Sequence, residues 1–185
     1  MTDDITRTLK DLTALLTASG IDYMVVGSVA ALAHGRARST QDFDLVARLT
    51  PESLEAFLNS LPADRFYVSR EAAAEAVRRQ TLFNVIDMVT GWKADIIPLK
   101  RRAFSVEEFD RRTTLHVLDL ELAVATVEDV VISKLEWSKL GGGSRRQLED
   151  VQELLPMSRG RLDVEYIERW VAALGLADEW KSVRG

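Results

Sequence analysis

Two stretches determine the predicted fold: YMVVGS at residues 23–28 and DFDLV at residues 42–46. The first is a short apolar run without alternation, typical of a central strand covered on both faces, and it runs into a Gly-Ser pair. The second alternates, so Asp42 and Asp44 share one face of a strand while Phe43 points to the other. Two neighbouring carboxylates raise each other's pKa unless a cation lies between them, which indicates a hard divalent metal.

The Gly27-Ser28 pair lies between the first strand and an alanine-rich helix at 28–33. Such a turn leaves unpaired backbone N–H groups at the positive end of a helix dipole, which favours an anion such as phosphate. Ser28 as a simple helix N-cap is the alternative interpretation. Arg38 and Thr40 precede the acidic strand, and the whole spacing fits a site where Mg²⁺ bridges carboxylates and nucleotide phosphates.

A third carboxylate is expected on a β-hairpin around the Thr-Gly pair at residues 90–91, which separates two apolar runs. A two-residue turn would pair Asp87 with Ala94. It would also pair Asp95 with Ile86, which places the two aspartates on different faces of the sheet. Asp95 is our candidate for the third metal ligand, whereas Asp87 is interpreted as a cap or a surface ion pair.

Composition indicates one ordinary globular unit of 185 residues, 46% of them hydrophobic and 29% charged. The chain has no cysteine, which excludes thiolate ligands and nucleophiles. The net charge of −5 argues against a protein that coats nucleic acid. No apolar run reaches the roughly 18 residues of a membrane span, so we expect a cytoplasmic protein without a membrane partner.

Periodicity predicts an α/β (α+β) fold, with a mixed β-sheet flanked by helices and a small C-terminal helical appendage. Helices are predicted to begin at Thr50 and Thr126, each a capping hydroxyl before a helical pattern. We divide the chain into an α/β core at 1–126 and a helical part at 127–185 that packs on it as a single compact unit. Two helices are expected after the glycine-rich loop that begins at Gly141.

The combined pattern resembles the polymerase-β-like nucleotidyltransferase superfamily, which is marked by a Gly-Gly or Gly-Ser turn followed by two spaced acids and a third. It further resembles the bacterial AbiEii-type branch. The matching segments are 26–28, 38–44, 83–95, 128–134 and 146–150.

The resemblance implies that Asp42, Asp44 and Asp95 hold Mg²⁺ (or Mn²⁺). It also implies that Gly27 and Ser28 hold the triphosphate of an NTP. The implied reaction moves a nucleoside monophosphate to an acceptor hydroxyl and releases pyrophosphate. The acceptor could be the 3′ end of an RNA such as tRNA, a protein or a small molecule.

Lys134 and Asp150 match the lysine and aspartate of the branch's later helical motifs, where the resemblance implies catalytic roles. Taken without it, a snorkelling helix lysine for Lys134 and an ordinary surface i,i+4 partner for Asp150 are the simpler interpretation. Basic residues at 100–102 and 145–146 slightly favour RNA as the acceptor. The branch includes toxins of type IV toxin-antitoxin systems, which implies a cognate antitoxin as a partner. A catalytically silent nucleotide-binding or interaction module is the alternative function.

Overall fold

The fold is given by a computed structural model that describes residues 2–36 and 42–184. Within these ranges the strands are β1 (Tyr23–Val26), β2 (Asp42–Ala47), β3 (Phe66–Tyr67), β4 (Phe83–Asp87), β5 (Lys93–Pro98), β6 (Thr113–Val117) and β7 (Leu120–Val124). The helices are α1 (Thr2–Ala18), α2 (Gly27–Ala33), α3 (Pro51–Ser60), α4 (Arg70–Arg79), α5 (Ala103–Asp110), α6 (Val127–Leu140), α7 (Arg145–Met157), α8 (Val164–Leu174) and α9 (Ala177–Val183). In the described part of the chain, no helix combines the length and apolar character needed to cross a membrane.

Both predicted helix starts are confirmed by their caps. The Thr50 side chain accepts a hydrogen bond from the backbone N–H of Ser53, with Pro51 at the first helical position. Thr126 accepts in the same way from the N–H of Asp129. Each cap satisfies an N–H group that the helix itself leaves unpaired, which contributes about 1 kcal/mol to helix stability.

The strands form one mixed sheet in the order β3-β4-β5-β2-β1-β7-β6. β2 lies at its centre, parallel to β5 and antiparallel to β1, and β1 is in turn parallel to β7. The remaining neighbours are antiparallel. The predicted mixed sheet flanked by helices is therefore confirmed.

Alternation along the two central strands separates a core face from an open face. Phe43 and Leu45 in β2, and Ala94 and Ile96 in β5, are fully buried in the main core together with the apolar side of α1. Burying one large apolar side chain of this kind stabilises the fold by roughly 1.5–3 kcal/mol. The intervening residues of β2 and β5 are only partly covered, and the candidate site is built on them.

A second hydrophobic cluster joins the helices that follow the sheet. It includes Val131 and Leu135 of α6, Ile167 and Trp170 of α8, and Phe104 of α5. The Phe104 and Trp170 rings meet edge to face at 5.2 Å. The predicted boundary at residue 126 falls directly before α6, and the division into 1–126 and 127–185 stays a prediction.

The hairpin register corrects one prediction. Asp95 lies opposite Asn84 and Ala94 opposite Val85, so the expected pairs of Asp95 with Ile86 and of Asp87 with Ala94 are wrong by two residues. The reason is a longer loop, closed by a 2.7 Å bond from the Gly91 N–H to the Asp87 carbonyl. A shift of two residues preserves the face of each side chain, so the prediction of different faces for the two aspartates is confirmed.

Two short elements were not predicted. β3 has two residues and owes its strand geometry to pairing with β4, where Phe66 lies opposite Asp87. α9 ends the described chain and packs Trp180 and Val183 into the second hydrophobic cluster. The prediction of two closing helices is therefore short by one. In both elements tertiary contacts, and not a local pattern, determine the conformation.

Candidate active site

Gly27 joins β1 to α2 in a conformation that favours glycine, with a φ of +64°. The preceding Val26 pairs with Asp44 of β2. A Cβ atom at position 27 would lie 2.1 Å from Oδ2 of Asp44, far inside contact distance. The missing side chain therefore allows the Asp44 carboxylate to lie directly against the turn.

Of the residues predicted to bind the triphosphate, Gly27 and Ser28 line the same cavity as Asp44. α2 begins at Gly27, and its N-cap residue makes no side-chain hydrogen bond. Ser28 therefore lies inside the first turn, and its interpretation as the N-cap is wrong. Arg38 and Thr40 lie outside the described residues.

The predicted acids come together on the open face of the sheet. Asp44 of β2 lies directly opposite Asp95 of β5, and Asp42 opposite Lys93. Burial, followed by the charges of Asp95 and Asp42, raises the pKa of Asp44 to about 6. Lys134 and Lys93 act in the opposite direction. Mutual repulsion of this kind is what a bound cation would relieve.

Two polar side chains that the sequence reasoning did not assign to the site hold Asp95. Asn84 donates a 2.6 Å hydrogen bond to its Oδ1 atom. The Lys93 ammonium lies 3.0 Å from the same oxygen and 3.7 Å from Oδ2 of Asp42. The parity argument that selected Asp95 could have found Lys93, because residues two apart on a strand share a face.

The donor chemistry of this face fits a hard divalent cation, since carboxylate oxygens are what Mg²⁺ prefers. Asp44 and Asp95 are the residues that would hold it. Within the ranges that the structure describes, however, no three acidic or histidine side chains are arranged to hold a metal ion. The Lys93 ammonium lies near both Asp42 and Asp95 instead. The set of Asp42, Asp44 and Asp95 as three metal ligands stays a prediction.

Lys134 of α6 and Asp150 of α7 form a buried ion pair of 2.6 Å at the edge of the cavity. The second oxygen of Asp150 lies 2.7 Å from the guanidinium of Arg36, which follows α2. The interpretation of Lys134 and Asp150 as ordinary surface residues is therefore wrong. The contact is consistent with an orienting role for Asp150, but the catalytic roles of both residues stay predictions.

Asp87 lies on the opposite face of the sheet from Asp95 and is fully buried. Arg65 and Thr8 donate hydrogen bonds of 2.8 and 2.7 Å to its Oδ2 atom. The loop amides of Val89 and Thr90 bond to its other oxygen. Burial raises the pKa of Asp87, but these donors outweigh burial and lower it to about 2. The cap interpretation is confirmed, whereas the surface ion pair is wrong because the pair is buried.

A cavity of about 330 Å³ opens beside Asp44 and Asp95, which we call the acid pair. One end is formed by the Gly27-Ser28 turn, Asp44, Asp95 and Lys134. The other end lies between α5 and α6, with an apolar rim that includes the exposed Trp137 and Leu140. The volume is at the lower end of the range for small-molecule sites. The cavity therefore has room for a small molecule or for part of a larger one.

No protein-family model matches the sequence, and a comparison with curated proteins gives no significant match. Solved structures do match. An antigenic nucleotidyltransferase-like protein from Paracoccidioides brasiliensis has a TM-score of 0.59 and 17% identity, over 97% of this chain and 93% of that one.

The antibiotic-resistance factor ANT(2'')-Ia, in its solution structure, has a TM-score of 0.57 and 13% identity over 100% and 97% of the two chains. A crystal structure of ANT(2'')-Ia with adenylyl-2''-tobramycin gives 0.51 and 14%, over 91% and 95%. Likeness at this identity concerns architecture. The chain therefore has the nucleotidyltransferase fold.

Proposed function

We propose that the protein is a metal-dependent nucleotidyltransferase that moves a nucleoside monophosphate from an NTP to an acceptor hydroxyl. The observation that carries this proposal is the meeting of the Gly27-Ser28 turn with Asp44 and Asp95 at one end of an open cavity. The nucleotidyltransferase fold of its structural neighbours supports the same reaction.

In this proposal the turn binds the triphosphate, with Gly27 permitting close approach and Ser28 donating a hydrogen bond. Asp44 and Asp95, with Asp42 as the third predicted ligand, would hold Mg²⁺ or Mn²⁺, which when bound would lower the pKa of the acceptor hydroxyl and neutralise phosphate charge. The hydroxyl oxygen forms a bond to the α-phosphorus, and the bond between the α-phosphorus and pyrophosphate breaks. The hydroxyl proton is released. Lys134, held by Asp150, adds positive charge near the phosphates.

The test is incubation with Mg²⁺ or Mn²⁺ and each α-labelled NTP, together with total RNA, cell lysate or a small-molecule extract. We expect label to appear on one class of acceptor and unlabelled pyrophosphate to be released. The matched control is Asp95→Asn, which should bind NTP weakly and transfer far less label than the wild type. NTP binding without transfer to any acceptor, under either metal, would contradict the enzyme proposal.

We further propose that the chain is related to the AbiEii-type branch, so that it could act as a toxin with a cognate antitoxin as partner. The supporting features are the third acid Asp95 and the later pair of Lys134 and Asp150. Induced expression should then arrest growth, and Asp95→Asn should relieve the arrest. If expression of an active enzyme leaves growth unaffected, the toxin role is contradicted and the nucleotidyltransferase proposal stands.

A catalytically silent nucleotide-binding module is the second candidate, and the position of Lys93 favours it. An ammonium near both Asp42 and Asp95 supplies the positive charge that a metal would otherwise bring. Under this alternative, NTP binds saturably without added metal. Under the enzyme proposal, Mg²⁺ strengthens NTP binding and Lys93 moves aside.

A further inference from the structure

The end of the cavity formed by α5 and α6 is lined by two glutamates, Glu108 of α5 and Glu136 of α6. Ser105 and Ser133 lie beside them on the same two helices. This end belongs to the same cavity as Asp44 and Asp95, so a molecule bound there is directed toward the acid pair. None of these four side chains is used to bind the NTP in the proposed reaction.

Among the residues that the structure describes, an ion pair balances the charge of Glu136 but not that of Glu108. Arg102 donates to both carboxylate oxygens of Glu136, one of them at 2.6 Å, and its Nε atom donates to Ser105 at 2.8 Å. The guanidinium is therefore committed to Glu136 and Ser105. It acts on Glu108 only at longer range.

Glu108 is 6% exposed and accepts a 2.9 Å hydrogen bond from Ser133. In the described parts of the chain, no lysine, arginine or histidine forms an ion pair with it. Burial raises the pKa of Glu108 to about 8, with Asp129 and Glu136 raising it and Ser133 and Arg102 lowering it. A buried carboxylate without a cation is costly, so it must take up a proton or meet a cation brought by a ligand.

We propose that this end of the cavity binds the acceptor, and that Glu108 recognises an ammonium group on it. The acceptor is then a small molecule that carries an ammonium group near the hydroxyl that is nucleotidylated. This inference rests on the proposed function, since it assigns the second substrate of that reaction. The ammonium is bound and stays unmodified.

The same geometry disfavours nucleic acid at this end. An RNA 3′ end would bring phosphates toward Glu108 and Glu136. The cavity lining also includes Lys100 and Lys134, but Arg102 is paired with Glu136 and Lys134 with Asp150. The exposed indole of Trp137 on the rim offers a face for a cation or for the apolar side of a sugar ring. Both features fit a compact cationic polyol better than a polyanion.

The test compares glucosamine with glucose, which differ by the ammonium group, by ligand-observed NMR on the intact protein with ATP and Mg²⁺. We expect glucosamine to bind more tightly by at least about tenfold, the size of one close charge pair. The preference should weaken as pH falls well below about 8, because the carboxylate becomes protonated, and it should also weaken at higher pH, because the ammonium of glucosamine loses its proton. Equal binding of the two sugars, or no binding of glucosamine, would overturn the inference.

Glu108→Gln keeps the shape and the hydrogen bond to Ser133 but removes the charge, so it should abolish the preference for glucosamine. The matched control is Glu107→Gln, since Glu107 is paired with Arg169 at the surface. Melting curves should show Glu108→Gln to be folded, because it removes an uncompensated buried charge. A preference that survives Glu108→Gln, or tight Glu108-dependent binding of a single-stranded oligonucleotide, would contradict the assignment.

ATP binding is measured on the same samples to separate this inference from the proposed function. ATP–Mg²⁺ should bind to the wild type and to Glu108→Gln with equal affinity. If ATP binds but glucosamine shows no advantage over glucose, the acceptor assignment fails and the proposed function stands. The other three NTPs are measured in the same way, and if none of the four binds, the proposed function fails first.

Discussion

Asp44 and Asp87 are both buried or nearly buried aspartates of one sheet, but they lie in opposite electrostatic surroundings. Asp87, under the hairpin, receives hydrogen bonds from Arg65, Thr8 and two loop amides, and its pKa is lowered to about 2. Asp44, beside the cavity, faces Asp95 and Asp42, and its pKa is raised to about 6.

The difference separates a carboxylate that holds the fold from one that is kept for a ligand. Every oxygen of Asp87 is satisfied by the protein, so its ionised form stabilises the native state. Asp44 is held against Gly27 with other acids nearby, and its ionised form is unfavourable until a cation arrives. Accumulated negative charge beside a cavity is typical of functional sites.

The largest expected effect is on catalysis. Asp95→Asn should lower nucleotidyl transfer by on the order of 10³-fold, because one metal-binding carboxylate is lost where charge develops in the transition state. Initial rates with the labelled NTP measure it. Asp87→Asn serves as the comparison and should retain most activity at a temperature where it is folded. The reverse pattern would show that the two faces of the sheet have been assigned the wrong roles.

The next effect is on stability and concerns Asp87. Asp87→Asn should lower the free energy of unfolding by about 3 kcal/mol, because it removes the fully buried one of the two carboxylates, Asp11 and Asp87, that pair with Arg65. Urea denaturation followed by circular dichroism measures the change. Asp95→Asn, which relieves repulsion at the acid pair, should leave stability unchanged or raise it. Equal destabilisation by both substitutions would remove the distinction between them.

The pH dependence of stability should differ in sign at the two positions. The pKa of Asp44 is raised, so the stability it contributes is present below about pH 4 and lost as pH rises through about 6. Asp44→Asn should therefore be more stable than the wild type above about pH 6, by about 3 kcal/mol. The pKa of Asp87 is lowered, so its contribution is present above about pH 4 and lost as pH falls toward 2.

Unfolding free energies at several pH values for the wild type, Asp44→Asn and Asp87→Asn measure both contributions. Mg²⁺ should stabilise the wild type above about pH 6, with a smaller effect on Asp44→Asn. A constant difference between Asp44→Asn and the wild type across this range would mean that the acid pair does not repel.

The face of the sheet that carries Asp42, Asp44 and Asp95 could be predicted from the sequence because side-chain alternation along a strand is local. A register error of two residues does not change it. Sequence reasoning missed the hairpin register because the loop length depends on the buried carboxylate of Asp87, which bonds to the amides of Val89 and Thr90. Glu108 gave no signal either. Its position opposite Ser133 depends on how α5 packs against α6, which no local pattern encodes.

The smallest expected effect concerns the phosphate turn that the acids face. Ser28 does not cap α2, so its hydroxyl is available to the cavity that it lines. Ser28→Ala should weaken NTP binding by about 1 kcal/mol, or roughly fivefold, which is the contribution of one hydrogen bond. Isothermal titration with a non-hydrolysable NTP and Mg²⁺ measures this. Ser19→Ala, which removes a hydroxyl bonded to the Leu15 carbonyl at the end of α1, is the control and should leave NTP affinity unchanged. If both variants bind NTP as tightly as the wild type does, the Ser28 hydroxyl does not bind the triphosphate.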